Sequence, residues 1–187
     1  MKITISGNPG SGKSTVSKLL ASSLGLNHYS TGDFMRSIAK KRGITLLELS
    51  AIAEKDSSVD AELDEYNKKL GLEEDGFVLD SRLGFHFIPD SIKIFLVVSQ
   101  EESARRILNS EKHKALEKEN VDLEITTKNI MERIKSENKR YAEKYGVDYW
   151  DKSKYDLTIE TDNLSPEEVV GRITSFIKSK KRFIQAK

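Results

Sequence analysis

The segment Gly7–Ser14, which reads GNPGSGKS, constrains this chain more than any other feature. It matches the phosphate-binding pattern G-x-x-x-x-G-K-[ST] in full. A short apolar run, Ile3–Ile5, precedes it, and the residues after Ser14 have helical spacing. A strand, a glycine-rich turn and a helix are the setting in which such a loop binds phosphate. The sequence therefore predicts a nucleotide site at the N-terminus of the first helix.

Each residue type in this loop has a physical task. Its glycines permit backbone conformations that a side chain would exclude, so that N–H groups can converge on phosphate oxygens. Lys13 can reach the β- and γ-phosphates of a nucleotide, and the hydroxyl of Ser14 can bind Mg²⁺. The predicted nucleotide-binding residues are Gly7, Asn8, Pro9, Gly10, Ser11, Gly12, Lys13, Ser14 and Thr15.

Composition limits the partners that the chain can have. A length of 187 residues fits one domain, and 31 basic against 30 acidic residues leave a net charge of +1. This balance does not suggest binding to nucleic acid or to a membrane surface. The absence of cysteine excludes disulfides and thiolate metal sites. With no apolar run of membrane-spanning length and no signal-peptide pattern, we expect a cytoplasmic monomer whose partners are small-molecule nucleotides.

Alternating strand and helix patterns predict an α/β fold. Four further strands are predicted at Asn27–Ser30, Phe77–Asp80, Ile92–Val98 and Asp156–Thr161. Helical patterns lie between them, which favours a buried parallel sheet. Thr45, Ser99 and Ser165 each precede a glutamate by three residues, so each predicts a capping box at a helix start.

Two regions interrupt this alternation. Residues 33–75 form a long helical stretch between the second and third predicted strands, and residues 109–128 are rich in charge with weak apolar periodicity. Long insertions beyond the carboxyl ends of parallel strands often cover a ligand. We therefore expect both regions to lie over the nucleotide site.

A polar turn, STGDFMR at residues 30–36, follows the second predicted strand. Either Thr31 or Asp33 can cap the following helix. Arg36 falls one turn into that helix, where the helix dipole disfavours a cation. A bound phosphate on an acceptor molecule would explain a cation at this place, and a solvated surface arginine is the alternative.

Further charged residues follow the third and fourth predicted strands. Asp80 ends the third strand and can hold Mg²⁺ through water, while Arg82 can grip an acceptor phosphate. Arg105 and Arg106 are expected to open the helix after the fourth strand.

A later helix carries a second set of charges. Arg133 and Arg140 are seven residues apart and so share one helical face, on which Glu137 can hold an arginine in position. The alternative for this set is an exposed helix laced with salt bridges.

The number of arginines favours a phosphate acceptor. An alcohol acceptor requires a base to take its proton, and Asp33 could serve. A phosphate monoester has a second pKa of about 6 and needs cations instead, because two anions must approach each other. Arginines at four separate places fit the second requirement better.

The loop, the STGD turn and Arg82 resemble nucleoside monophosphate kinases, and within that group the short archaeal-type cytidylate kinases. Segments 48–64, 136–141, 145–148, 155–157 and 165–170 are similar to that subfamily. The resemblance implies a P-loop NTPase three-layer α/β/α fold with a five-stranded parallel sheet. It also implies a nucleoside monophosphate-binding insert at 33–75, a lid at 109–128, and transfer of the γ-phosphoryl group of ATP to CMP or dCMP with Mg²⁺.

The resemblance also implies residue roles. The catalytic residues would be Lys13, Arg106, Arg133, Arg140 and Glu137. The acceptor-binding residues would be Thr31, Asp33, Arg36 and Arg82, and the metal residues Ser14 and, through water, Asp80. Ser81 stands where the subfamily has glycine, and no motif assigns the residues that read the base.

Three alternatives remain open at this point. The first is another small P-loop kinase, acting on AMP, UMP or shikimate. The second is a GTPase-like switch or assembly factor, although the Asn/Thr-Lys-x-Asp pattern of guanine-specific switches does not occur before the last helix. The third is a binding module that has lost catalysis, against which the intact Lys13, Ser14 and Asp80 argue.

Overall fold

Five parallel strands form the centre of the fold in the computed structural model, which describes residues 1–111, 113, 117 and 119–185. The strand order is β2-β3-β1-β4-β5, and every neighbouring pair is parallel. The strands are β1 Lys2–Gly7, β2 Asn27–Ser30, β3 Phe77–Asp80, β4 Ile92–Val97 and β5 Leu157–Glu160. The predicted five-stranded parallel sheet is confirmed, with β4 and β5 slightly shorter than their apolar runs.

Helices cover both faces of the sheet. They are α1 Lys13–Leu24, α2 Thr31–Arg42, α3 Leu46–Lys55, α4 Ser58–Glu73, α5 Gly84–Phe87, α6 Gln100–Asn109, α7 Leu123–Tyr145 and α8 Pro166–Gln185, with a 3₁₀ turn at Lys152–Lys154. No helix in the described part of the chain is both long and apolar enough to cross a membrane.

The alternation of side chains along each strand builds two separate cores. Ile94 and Leu96 of β4 pack with α1 and α8 on one face of the sheet. Phe95, between them in sequence, packs with Val147 and Tyr149 on the other face. Successive strand residues point to opposite faces, so one buried strand supplies both cores and fixes a three-layer α/β/α arrangement.

The helix starts follow local capping chemistry, with two corrections. Thr45 forms the predicted capping box, and the backbone N–H of Ser165 and the side chain of Glu168 pair in the same way. At Ser99 only half of the box forms, because the carboxylate of Glu102 binds arginines instead. The cap of α2 is Ser30, whose hydroxyl accepts from the N–H of Asp33, so the expectation of a cap at Thr31 or Asp33 was wrong.

The region 33–75 corresponds to α2, α3 and α4, which lie between β2 and β3 and enclose a small core of their own around Leu49 and Val59. The region 109–128 falls between the end of α6 and the first turns of α7. Residues 112, 114–116 and 118 of that region lie outside the described residues. The predicted lid is therefore described only in part.

The phosphate loop is fastened to the neighbouring strand by Asn8. Its side-chain amide donates to the carbonyl oxygen of Val98 at 2.9 Å, and its Oδ1 accepts from the N–H of Val98 at 3.1 Å. The hydroxyl of Ser103 on α6 donates to the carbonyl of Pro9 at 2.7 Å. These buried hydrogen bonds fix the position of the loop relative to the carboxyl ends of β1 and β4.

We expect Asn8→Ala to lower the free energy of unfolding by about 2 kcal/mol, because it leaves a buried N–H and C=O of Val98 without partners. Urea denaturation measures this loss. The control is Asn27→Ala, an exposed asparagine at the start of β2, which should change stability by less than about 0.5 kcal/mol. Equal losses in both variants would show that the Asn8 pair does not hold the loop.

Candidate phosphoryl-transfer site

A cavity of about 480 Å³ lies at the carboxyl ends of the strands. Residues Pro9–Thr15 of the predicted nucleotide set line it, whereas Gly7 and Asn8 connect the loop to the sheet. The rest of the wall comes from the start of α2, the residues after β3 and β5, the second half of α6, the middle of α7 and the start of α8. Ligands of parallel α/β sheets bind at this edge, where loops from separate strands meet. We call this space the loop cavity.

Lys13 is the first residue of α1 and follows Gly12, which has the left-handed φ of 83°. Its ammonium group donates to the carbonyl oxygen of Asn8 at 3.0 Å. Burial and, to a smaller extent, the neighbouring Arg82 lower the pKa of Lys13 to about 7, although Asp80 and Glu137 oppose this shift. Because Lys13 is partly neutral near pH 7, a bound anion would stabilise its charged form and raise its pKa.

The two residues predicted to hold Mg²⁺, Ser14 and Asp80, are in direct contact. The hydroxyl of Ser14 donates to Oδ2 of Asp80 at 2.5 Å, and the hydroxyl of Ser30 donates to the same oxygen at 3.3 Å. Hydroxyl and carboxylate oxygens beside a triphosphate loop suit Mg²⁺, which also takes ligands from phosphate and water. The residues present therefore fit the ion that the resemblance implies.

A chain of buried charges runs from the sheet to α7. Glu137 forms ion pairs with Nε of Arg82 and, at 3.1 Å, with Nε of Arg133. Burial alone would raise the pKa of Glu137, but Arg82, Arg133 and Arg140 hold it below its ordinary value. Glu137 is thus an ionised carboxylate between two guanidinium groups, and we call these three residues the arginine bridge.

The residues after β2 also reach the loop cavity. Thr31, Gly32 and Arg36 line it, and the hydroxyl of Thr31 donates to the backbone oxygen of Asp80 at 3.3 Å. Arg36 binds Oδ1 of Asp33 at 2.7 Å. This ion pair at the start of α2 explains how a cation is tolerated near the positive end of the helix dipole.

Arg105 and Arg106 do not open α6, contrary to expectation, but lie in its second half. Arg105 is exposed and binds Glu101 and Glu102. Arg106 lines the loop cavity and donates to the carbonyl oxygens of Thr161 at 2.7 Å and of Asp162 at 3.2 Å. Arg106 therefore joins α6 to the loop after β5.

A smaller cavity of about 60 Å³ adjoins the first, between the insert and α7. We call it the insert cavity. Arg140 lines it and binds Oδ2 of Asp60 at 3.1 Å, but is not among the residues that line the loop cavity. The structure thus brings Lys13, Arg82 and Arg133 together and places Arg140 further toward the insert.

The insert cavity contains polar residues that the sequence did not single out as functional. The foremost are Asp60, Asp64 and Asn67 of α4 and Tyr145 of α7. Their spacing at positions 60, 64 and 67 places the first three on one helical face. The only sequence signal for these residues is a row of polar side chains on one face of a helix. An ordinary solvent-exposed helix face gives the same pattern, so the sequence alone does not identify them as functional.

Comparison with known proteins identifies the family. The model of the cytidylate kinase-like family matches residues 2–163. The chain belongs to this family. A cytidylate kinase of Natronomonas pharaonis is 39% identical over 96% of this chain and 90% of its own length. A cytidylate kinase of Sulfurisphaera tokodaii is 35% identical over 95% of both chains.

Solved structures support the fold of this cytidylate kinase-like chain. An uncharacterised protein from Eubacterium ventriosum has a TM-score of 0.70 at 20% identity and covers 96% of this chain and 99% of its own. Shikimate kinase from Bacteroides thetaiotaomicron has a TM-score of 0.68 at 14% identity, covering 95% and 98%. At these identities the likeness establishes the P-loop kinase fold and leaves the acceptor open.

We expect nucleotide binding to take up a proton through Lys13. A bound anion raises a lysine pKa, so at pH 8 Lys13 should pass from largely neutral to charged and take up about one proton, and at pH 6 far less. Calorimetric titration with ADP in buffers of different ionisation enthalpy measures this number. Lys13→Met should abolish the uptake, and Lys18→Met, an exposed lysine of α1, should not. Uptake that does not depend on Lys13 would refute the assignment.

Proposed function

We propose that this chain transfers the γ-phosphoryl group of ATP to CMP or dCMP, with release of ADP and CDP or dCDP. The observation that carries the proposal is the boundary between the two cavities, which both Arg82 and Arg133 line. A donor phosphate in the loop cavity and an acceptor phosphate in the insert cavity would meet at these two arginines. The relatives at 35% and 39% identity are named cytidylate kinases, which supports cytidine as the nucleoside.

The arrangement suits an acceptor that is already an anion. A nucleoside monophosphate is largely deprotonated near neutral pH, so the site must offset repulsion rather than remove a proton. Lys13 would neutralise the donor phosphates, while Arg82 and Arg133 would neutralise charge on the transferring group. Glu137 binds both arginines and so fixes where their guanidinium groups stand.

The remaining roles follow from position. Thr31 and Gly32 line both cavities, and the guanidinium group of Arg36 lies against Gly32. Arg36 and Thr31 would therefore bind the acceptor phosphate at the boundary between the cavities, with Asp33 orienting Arg36. Arg106 would act on the nucleotide from the side of the loop after β5, and Arg140 would act through Asp60 of the insert. Ser14, and Asp80 through water, would hold Mg²⁺, which supplies further neutralisation of phosphate charge when bound.

The proposal extends to the organisation of the molecule. Residues 33–75 would close over the acceptor and residues 109–128 over the donor. We also propose that the protein is a monomer that acts in the cytoplasm in pyrimidine nucleotide metabolism.

The experiment is a coupled assay of ADP release with ATP, Mg²⁺ and a panel of acceptors: CMP, dCMP, UMP, AMP, GMP, dTMP and shikimate. We expect CMP and dCMP to give the highest kcat/KM. Preference for another monophosphate would retain the phosphate-acceptor mechanism and overturn the cytidine assignment. Preference for shikimate would overturn both, because its hydroxyl needs a base.

We expect Arg36→Ala to raise the KM for CMP by about 10- to 100-fold, since a hydrogen bond to a charged group is lost. The KM for ATP should change by less than about twofold. Steady-state kinetics with each substrate varied in turn measures both values. Arg42→Ala, which removes an exposed arginine from the last turn of the same helix, is the control. Equal increases in both KM values would contradict the acceptor role of Arg36.

A further inference from the structure

Asn67 is a buried polar residue that the phosphoryl-transfer machinery does not use. Its side chain lines the insert cavity, and the residue is only 3% exposed. Its Oδ1 atom has no hydrogen-bond partner within the described part of the chain. Burial of an unpaired carboxamide is unfavourable, and native proteins retain such groups where a ligand or water completes them. Asn67 is therefore a buried acceptor at the wall of the insert cavity that no protein donor satisfies in the described part of the chain.

Asp64 and Asp60, on the same face of α4 as Asn67, differ in how many of their carboxylate oxygens have a partner. Both carboxylate oxygens of Asp64 accept from the hydroxyl of Tyr145, at 2.6 and 2.8 Å. Asp60 is met by Nε of Arg140 at 3.1 Å and by Nζ of Lys144 at 3.9 Å, and both approach the same oxygen, Oδ2. Asp60 and Asn67 therefore line the insert cavity from one face of α4, about two helical turns apart.

We infer that Asn67 and Asp60 read the base of the acceptor nucleotide and select cytosine over uracil. The inference rests on the proposed transfer to CMP. Cytosine offers an exocyclic amino donor next to a ring nitrogen acceptor, N3. The carboxamide of Asn67 matches this pair, with Oδ1 accepting from the amino group and Nδ2 donating to N3. Asp60 accepts the second hydrogen of the amino group.

Asp60 is required because an asparagine alone does not discriminate. Rotation of the carboxamide by half a turn exchanges its donor and acceptor, and the rotated group would match uracil equally well. A carboxylate accepts only, so it attracts the amino group of cytosine and repels the O4 oxygen of uracil. Burial raises the pKa of Asp60, and the positive charges of Arg140 and Lys144 limit that rise.

Hydrogen bonds to Asn67 do not exclude purines by themselves. Adenine carries the same pair of an amino donor and a ring nitrogen acceptor. Met35, Leu63 and Phe87 contribute apolar walls to the insert cavity. We expect these walls to admit a single ring more readily than a double ring.

The test compares CMP with UMP and with the CMP analogue whose 4-amino group is replaced by hydrogen. For the unmodified protein we expect the analogue to lose about 100-fold in kcat/KM, since a site built to bind a polar group rejects a ligand without it. In Asn67→Ala the difference between CMP and the analogue should shrink to about tenfold, because the amino group then keeps Asp60 as its only acceptor. The KM for ATP should stay unchanged.

Two further variants separate base reading from a structural role. Asp60→Asn should raise the ratio of UMP to CMP turnover. Asn138→Ala, on α7, also removes a carboxamide whose Oδ1 is buried without a hydrogen-bond partner in the described residues, but outside both cavities, and it should leave the ratio unchanged. The Tm of Asn67→Ala should not fall, because an unpaired buried group is removed.

Specific outcomes would overturn the inference. A loss of activity in Asn67→Ala that is equal for CMP, UMP and the analogue, or a fall in Tm without a change in base selection, would assign Asn67 to packing. Full rejection of the analogue by Asn67→Ala would place base reading elsewhere. The acceptor panel with the unmodified protein decides the proposed function separately, so failure of that proposal is seen before any variant is made.

Discussion

The arginine bridge is the interaction on which the rest of the site depends. Arg82 follows a central strand, whereas Glu137 and Arg133 belong to α7, so this buried contact joins the sheet to a helix far along the sequence. Removing three charges from water is costly unless each is paired. Two guanidinium groups share one carboxylate here, and Lys13 stands nearby. Among the described residues that line the loop cavity, Asp80 is the one carboxylate beside Lys13, Arg36, Arg82, Arg106 and Arg133. This surplus of positive charge suits a phosphate ligand.

The 23 residues of α7 allow one element to serve several parts of the site. Near its middle, Arg133 approaches Glu117 of the region before the helix, at 3.7 Å. Two turns later, Arg140 and then Tyr145 bind Asp60 and Asp64 of the insert. Charged residues at intervals of three, four and seven keep one face toward the cavities. Because α7 is this long, one rigid helix connects the residues of the insert to the arginine bridge.

The sequence predicted features governed by neighbouring residues. The loop, the five strands and the boxes at Thr45 and Ser165 depend on local spacing, and the structure contains them. The cap of α2 was missed because candidate residues stand at adjacent positions. The placement of Arg106 depends on Thr161, 55 residues away, and local patterns carry no such information. Asn67 could not be singled out from the sequence, because tertiary packing decides which face of α4 is buried.

The bond pair between Asn8 and Val98 has a consequence for how this loop tolerates change. An asparagine side chain here imitates the backbone of a strand residue, so the ladder between β1 and β4 continues for one more rung in side-chain form. Sliding β4 by a single residue, about 3.3 Å, would carry Val98 out of reach. The register between β1 and β4 therefore also determines the shape of the phosphate loop. If this loop were grafted onto another sheet, the two corresponding strands of that sheet would need the same register.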